Sequence, residues 1–172
     1  YFIDDFENEK RYQEMGFEYL ENPILSENKG FIAIDHLTNN VYPGEMAKWT
    51  DFYKSIFGFT EVRYFDIRGA KTGLTSFALQ APGRSFCIPI NEGTEAKSQI
   101  NEYLDEYKGP GVQHLAFITH DIIKSVASLS ETTISTLDID TEYYDEVFDR
   151  VPNVTENKKE LQQYDILVDG DE

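Results

Sequence analysis

Cysteine is nearly absent: Cys87 is the only one in 172 residues. A single thiol cannot build an internal disulfide framework, so a reducing, cytoplasmic setting is expected. Positive charge is scarce as well. Fifteen Lys and Arg stand against 32 Asp and Glu, a formal net charge of -17. Such a surface repels phosphate backbones and anionic headgroups, which argues against nucleic-acid and membrane partners. No apolar run approaches the ~20 residues that a membrane helix needs. Tyr1 is not an ordinary start and no basic-then-apolar leader follows it, so the chain reads as a piece of something longer. What is present is apolar material in quantity. Hydrophobic residues make up 40% and aromatics 14%, enough for a packed core and too much for a disordered chain.

The first 30 residues read as a lead-in. Tyr1-Phe2-Ile3 has the look of a strand end. An acidic stretch without clean periodicity follows, and the turn signals Asn22-Pro23 and Asn28-Lys29-Gly30 close it. Residues 1–30 are therefore expected to be a linker. From Phe31 the pattern sharpens. Residues 31–37 read as a strand with Ile32, Ile34 and His36 on one face by the period of two. A helix opens after Pro43-Gly44, with Met46, Trp49, Phe52 and Ile56 at core spacing, and Gly58 stops it as a left-handed cap. Residues 60–66, 74–80 and 85–90 are expected strands. Residues 98–107 form an expected helix with Ile100, Tyr103, Leu104 and Tyr107 on one face.

The pattern then restarts. Residues 112–119 read as a strand, Asp121 as the N-cap of a helix carrying Ile122, Val126 and Leu129, and residues 133–137 as a further strand. Helices are expected at 141–151, with Tyr144, Val147, Phe148 and Val151 inward, and at 155–163. Residues 165–168 begin another strand. Ile34-Asp35-His36-Leu37 and Val112-Gln113-His114-Leu115 share the order apolar, polar, His, Leu, with their histidines 78 residues apart. The unit is βαβββ, present once in full and once in part, and repeats of one such unit stack to share a sheet surface. The fold expected is α+β, from paired βαβββ modules with the second incomplete.

Three histidines are available. His120, beside a helix start, reads as a loop residue. A lone strand histidine is most often a hydrogen-bonded core residue, but His36 and His114 recur at matching places in the two units. A pseudo-twofold would bring both imidazoles to one concave surface, where they suit Fe(II), Zn or Ni. Two His and one carboxylate make the facial triad of non-haem iron oxygenases. By the logic of the repeat, the carboxylate belongs to the last strand of the second unit, expected beyond Glu172.

Several stretches together resemble the carboxyl-terminal domain of the 4-hydroxyphenylpyruvate dioxygenase family, within the vicinal oxygen chelate superfamily. They are Ile34 to Val41, Phe52 to Thr60, Pro89-Ile90-Asn91-Glu92, Ser98-Gln99-Ile100, Gly109 to Leu115, and the closing Ile166 to Glu172. The likeness covers residues 31–172, so these are expected to be the catalytic domain, cut before its last strands. The resemblance implies Fe(II) as cofactor. It implies conversion of 4-hydroxyphenylpyruvate and O2 to homogentisate and CO2 in tyrosine catabolism. It makes His36 and His114 two metal ligands and a later Glu the third. Ser76, Asn91, Gln99 and Gln113 match polar positions of the substrate pocket, with Pro89 the proline before the pocket asparagine.

A 2-oxo acid can chelate Fe(II) through its carboxylate and keto oxygens. Neutral amides and hydroxyls can bind the rest without adding an oxidisable thiol. One tension remains. Gln113 and His114 are adjacent in a strand and should face opposite ways, so either a bulge re-aims Gln113 or it acts outside the first ring of contacts. Two other readings stand beside this one: a hydroxymandelate synthase, which shares ligands and substrate, and a metal-free binding module of the same superfamily. With the third ligand absent, residues 1–172 alone are expected to be inactive, and an uncovered sheet edge is expected to drive homo-oligomer formation.

Overall fold

A computed structural model describes residues 3–21, 27–68, 73–95 and 97–170. The readings placed on Tyr1-Phe2, on Asn22-Pro23 and on Asp171-Glu172 lie outside these residues. The lead-in is not wholly irregular. It holds a short helix, α1 (Glu9–Glu14), whose N-cap Asn8 accepts from the Lys10 amide.

The sheet begins with β1 (Phe31–Val41), followed by α2 (Met46–Phe57), β2 (Thr60–Arg68), β3 (Gly73–Gln80) and β4 (Cys87–Gly93). This is the βαβββ unit. Gly58 ends α2 at φ 68°, the left-handed conformation in which a side chain would be strained. The start of α2 is held from across the unit: Glu92 of β4 accepts from the Met46 amide at 3.2 Å. Next come α3 (Gln99–Tyr107) and β5 (Gly111–Thr119). The strand order is β2-β3-β4-β1-β5, with β1 parallel to β4 and antiparallel to β5. Gly111 opens β5 where a Cβ would lie 2.5 Å from the Tyr107 ring and 2.9 Å from the Tyr103 hydroxyl, so a larger residue would push these rings aside.

Helix α2 lies over one sheet face. Val41, Met46, Phe59, Leu79, Ala81, Ile88 and Ile90 form the core there, flanked by Leu37, Trp49 and Tyr53. Asn39 on the same face donates to the Tyr53 hydroxyl at 2.9 Å. Leu37, Asn39 and Val41 thus point toward α2, and His36, Thr38 and Asn40 point away from it by the alternation of the strand.

After β5 the chain is helical: α4 (Ile122–Leu129), α5 (Thr141–Arg150) and α6 (Lys158–Gln163). Asp121 caps α4 by accepting from Lys124 at 3.0 Å, as expected. Tyr144, Val147 and Val151 of the α5 segment form a second cluster with Phe148 against it. No helix among the described residues is long and apolar enough to cross a membrane.

Two expected strands are absent. Over 133–137 a turn at 131–133 runs into irregular chain: Thr132 donates to the Leu129 carbonyl at 2.6 Å and accepts from the Ile134 amide at 3.1 Å. At 165–168 the Asp165 and Ile166 amides bond the Gln162 and Leu161 carbonyls, and tyrosines engage Ile166 and Val168. Tyr144 donates to the Ile166 carbonyl at 3.1 Å, and the Tyr143 hydroxyl bridges both the amide and the carbonyl of Val168 at 2.9 Å. Backbone groups already engaged by side chains or by the preceding turn are not free for a ladder.

Other corrections concern burial. Ile32 is 55% exposed, Ile56 61% and Tyr107 62%, and Ile34 and Phe52 are also exposed. The spacing of α2 identifies residues that share a stripe. The buried side of that helix, however, runs through Met46 and Thr50, with Trp49 and Tyr53 half-buried. Strand β5 is open as well: Val112, Leu115, Phe117 and Ile118 are each more than 40% exposed. Cys87 is half-buried.

Candidate metal centre

The two motif histidines meet. His36 on β1 and His114 on β5 have their Nε2 atoms 3.2 Å apart and their rings nearly perpendicular, with centroids 5.3 Å apart. The ladder explains the meeting. His114 lies opposite Thr38 and His36 opposite Ala116, so the two imidazoles are diagonal neighbours on one face of an antiparallel pair.

The register carries a bulge beside each histidine. From Ile34–Phe117 to His36–Ala116, β1 advances two residues while β5 advances one, which makes Asp35 the extra residue. From Thr38–His114 to Asn39–Val112 the imbalance reverses, and Gln113 is the extra residue of β5. The bulge at Gln113 resolves the tension between adjacent strand positions. Each extra residue then turns onto its own histidine. Asp35 Oδ2 lies 2.7 Å from His36 Nδ1, and Gln113 Oε1 bonds His114 Nδ1.

These contacts set the protonation pattern of the rings. A carboxylate and an amide oxygen only accept, so both Nδ1 atoms carry hydrogen and donate. In neutral rings the two Nε2 lone pairs are then left facing each other. The Thr38 hydroxyl, 3.1 Å from His114 Nε2, donates to one of them. An electropositive centre between them would engage both lone pairs. Two metal–nitrogen bonds of about 2.1 Å at a right angle place their nitrogens about 3 Å apart, which matches the observed separation. A divalent cation therefore fits the pair as adjacent ligands. Among the described residues, no third Cys, Asp, Glu or His joins them to complete a set.

His114 is exposed by area, yet its ring edge is turned toward His36 and Thr38. This lost hydration, with His36 a smaller contributor, lowers its pKa from the ordinary 6.5. The consequence has a definite sign. The unfolded ring takes up a proton at higher pH than the folded one, so neutral His114 contributes stability above pH 6.5. That contribution is lost as pH falls through the depressed folded value. Titrated by NMR in the metal-free protein, His114 is expected to show a midpoint below 6.5; a midpoint at or above 6.5 contradicts this environment.

The remaining expected site residues separate into groups. Ser76 on β3 is buried and pairs in register with Asn91 on β4, which in turn pairs with Asn40 on β1. Side chains in register on adjacent strands share a face, so Asn40, Asn91 and Ser76 form a polar row across three strands. Asn40 stands four residues, about 13 Å, along β1 from His36. It is 3% exposed, and its Oδ1 has no hydrogen-bond partner among the described residues. Gln99 is exposed in the first turn of α3. Gln113 bonds the His114 ring and is placed for orientation. His120 is an exposed loop residue, as read. Asp35, Thr38 and Asn40 are participants that the sequence pattern did not single out. All three lie within the stretch Ile34 to Val41, so closeness to His36 was the available signal.

Comparison with known proteins follows the same lines. The family model described as the glyoxalase/bleomycin resistance protein/dioxygenase superfamily matches residues 33–156. The chain is 55% identical to Protein MelA of Shewanella colwelliana, over 100% of this chain and 50% of that protein. It is 42% identical to the 4-hydroxyphenylpyruvate dioxygenase of Legionella pneumophila, over 99% of this chain and 48% of that one. The chain thus spans about half the length of the curated relatives it matches. Among solved structures, a mutant of 4-hydroxymandelate synthase from Streptomyces coelicolor superposes with a TM-score of 0.69 at 26% identity. The match covers 81% of this chain and 40% of that one. With its βαβββ unit, its α+β sheet and a family match over most of its length, the chain belongs to the glyoxalase/bleomycin resistance protein/dioxygenase superfamily.

Proposed function

We propose that this chain is part of the catalytic domain of an Fe(II)-dependent 4-hydroxyphenylpyruvate dioxygenase. The enzyme would convert 4-hydroxyphenylpyruvate and O2 to homogentisate and CO2 in tyrosine catabolism. The observation that carries this reading is the convergence of His36 and His114 Nε2 across the β1–β5 ladder. The kinship with proteins named for that activity supports it.

His36 and His114 would hold the metal through Nε2, with a glutamate outside residues 1–172 as third ligand. Bound there, Fe(II) supplies the redox chemistry that joins a 2-oxo acid and O2. The protein's own part is orientation. Asp35 and Gln113 keep the lone pairs of the two rings inward. The Thr38 hydroxyl must release His114 Nε2 when a ligand takes that lone pair. The row of Ser76, Asn91 and Asn40 offers neutral donors and acceptors at a distance along the sheet that suits the polar end of an elongated aromatic acid, with Gln99 at the rim. Neutral groups bind such a substrate without competing for the metal's charge.

The likeness to 4-hydroxymandelate synthase favours one second reading, hydroxylation of the side chain instead of the ring. Both readings are tested together. The full-length protein is incubated anaerobically with Fe(II) and 4-hydroxyphenylpyruvate, O2 is admitted, and uptake and products are followed. Homogentisate is expected. Hydroxymandelate would transfer the assignment to the second reading, and no substrate-dependent O2 uptake would reject both.

A further inference from the structure

We propose that Asp35 is a positioning residue of the metal centre: as the extra residue of the β1 bulge, it locks the His36 ring and places a negative charge behind the ligand. The inference rests on the reading of His36 and His114 as metal ligands. It adds to that reading a residue whose side chain touches no reacting atom.

Three observations carry it. The first is geometric. Asp35 Oδ2 is 2.7 Å from His36 Nδ1, a distance typical of charge-assisted hydrogen bonds. The second is topological. Without the bulge, Asp35 would point to the opposite face from His36, as strand neighbours do. The doubled step between Ile34–Phe117 and His36–Ala116 turns it onto the ring. The third is comparison within the molecule. Gln113 does the same for His114 from a bulge on the facing strand, so the device occurs twice.

The two copies differ in charge, and the difference matters. Two neutral imidazoles leave a dication's charge uncompensated. Among the described residues, Asp35 is the carboxylate that touches either ring. A carboxylate accepting from Nδ1–H makes Nε2 a stronger donor to the metal, whereas the Gln113 amide orients without that gain. His36 is therefore the more strongly polarised ligand and His114 the more weakly polarised one.

The test uses the full-length protein with Asp35→Ala, Asp35→Asn and His36→Ala variants. Co(II) and anaerobic Fe(II) are the titrants, and long-range 1H–15N spectra of the metal-free protein give the histidine tautomers. The Asp35 side chain is 58% exposed, so the variants are expected to fold, which circular dichroism checks. In the parent protein His36 should be held as the Nδ1–H tautomer. Asp35→Ala should shift it toward Nε2–H, leave His114 unmoved and weaken metal binding by about 10- to 100-fold. Asp35→Asn, which keeps an acceptor and loses the charge, should fall between. An unchanged His36 tautomer in Asp35→Ala overturns the proposal. So does unchanged metal affinity where His36→Ala abolishes it. If His36→Ala itself binds metal as the parent does, the metal-ligand reading fails and takes this inference with it.

Discussion

Alanine at His36 or at His114 is expected to weaken Fe(II) or Co(II) binding of the full-length protein by more than ~100-fold, beyond the 10- to 100-fold typical of residues that only support a ligand. The reason is the geometry of the pair. Two inward lone pairs 3.2 Å apart are placed to chelate one ion, and removing one leaves a single imidazole beside the proposed glutamate. The loss should be nearly complete in each single variant, and the double variant should add little. Such non-additivity is what two groups acting as one site produce. The fold should survive both changes, because His114 is exposed and the His36 side chain is only 70% buried (30% exposed), outside the α2-facing core. Calorimetry and the Co(II) absorption spectrum provide the measurement. Two single variants that each retain parental affinity would remove these histidines from the metal centre.

The second large effect concerns stability. Leu79 is 0% exposed near the end of β3, in register with Ile88 and inside the cluster that joins β3, β4 and α2. Leu79→Ala is expected to cost about 2–5 kcal/mol in urea unfolding, the transfer term plus the cavity left behind. Ile56→Ala removes a residue of similar size that the helical spacing also assigns to the core. That residue is 61% exposed, and its loss should stay within about 0.5 kcal/mol. Equal losses at the two positions would show that α2 packs differently from the structure described.

That contrast marks where the sequence is informative. The period of two and the period of 3.6 identify residues that share a face. They do not say which layer, if any, covers it. Met46 and Ile100 fall under cover, whereas Phe52, Ile56 and Tyr107 share their stripes and remain in solvent. The elements themselves were legible because their ends carry local chemistry. Gly58 adopts the left-handed cap, and Asp121 caps α4. The segments at 133–137 and 165–168 look like strands because they are apolar and β-branched. Ile134, Val168 and Ile166, however, bond Thr132, Tyr143 and Tyr144, which composition does not reveal.

The site was legible in its histidine pair and illegible in its supports. His36 and His114 stand out because the motif repeats. Asp35 and Gln113 occupy the variable place of that motif, where any polar residue keeps the pattern. Only the ladder register shows that each is doubled against one partner residue and turned onto the ring. The row of Ser76, Asn91 and Asn40 was half visible for a similar reason. Pairing of β4 with both β3 and β1 brings the third member in, and no one-strand periodicity contains that pairing.

The placement of the two imidazoles on directly hydrogen-bonded strands makes their separation a vernier of strand alignment. The smallest slip of β5 along β1 that keeps every side chain on its face is two residues, about 7 Å. That exceeds the span any single ion can bridge. On the proposed reading, ion occupancy and the sliding coordinate of β1 against β5 belong to one equilibrium. A chelator acting on this centre should loosen amide protons along the whole β1–β5 seam, while the β2–β3 hairpin at the other side of the sheet keeps its protection.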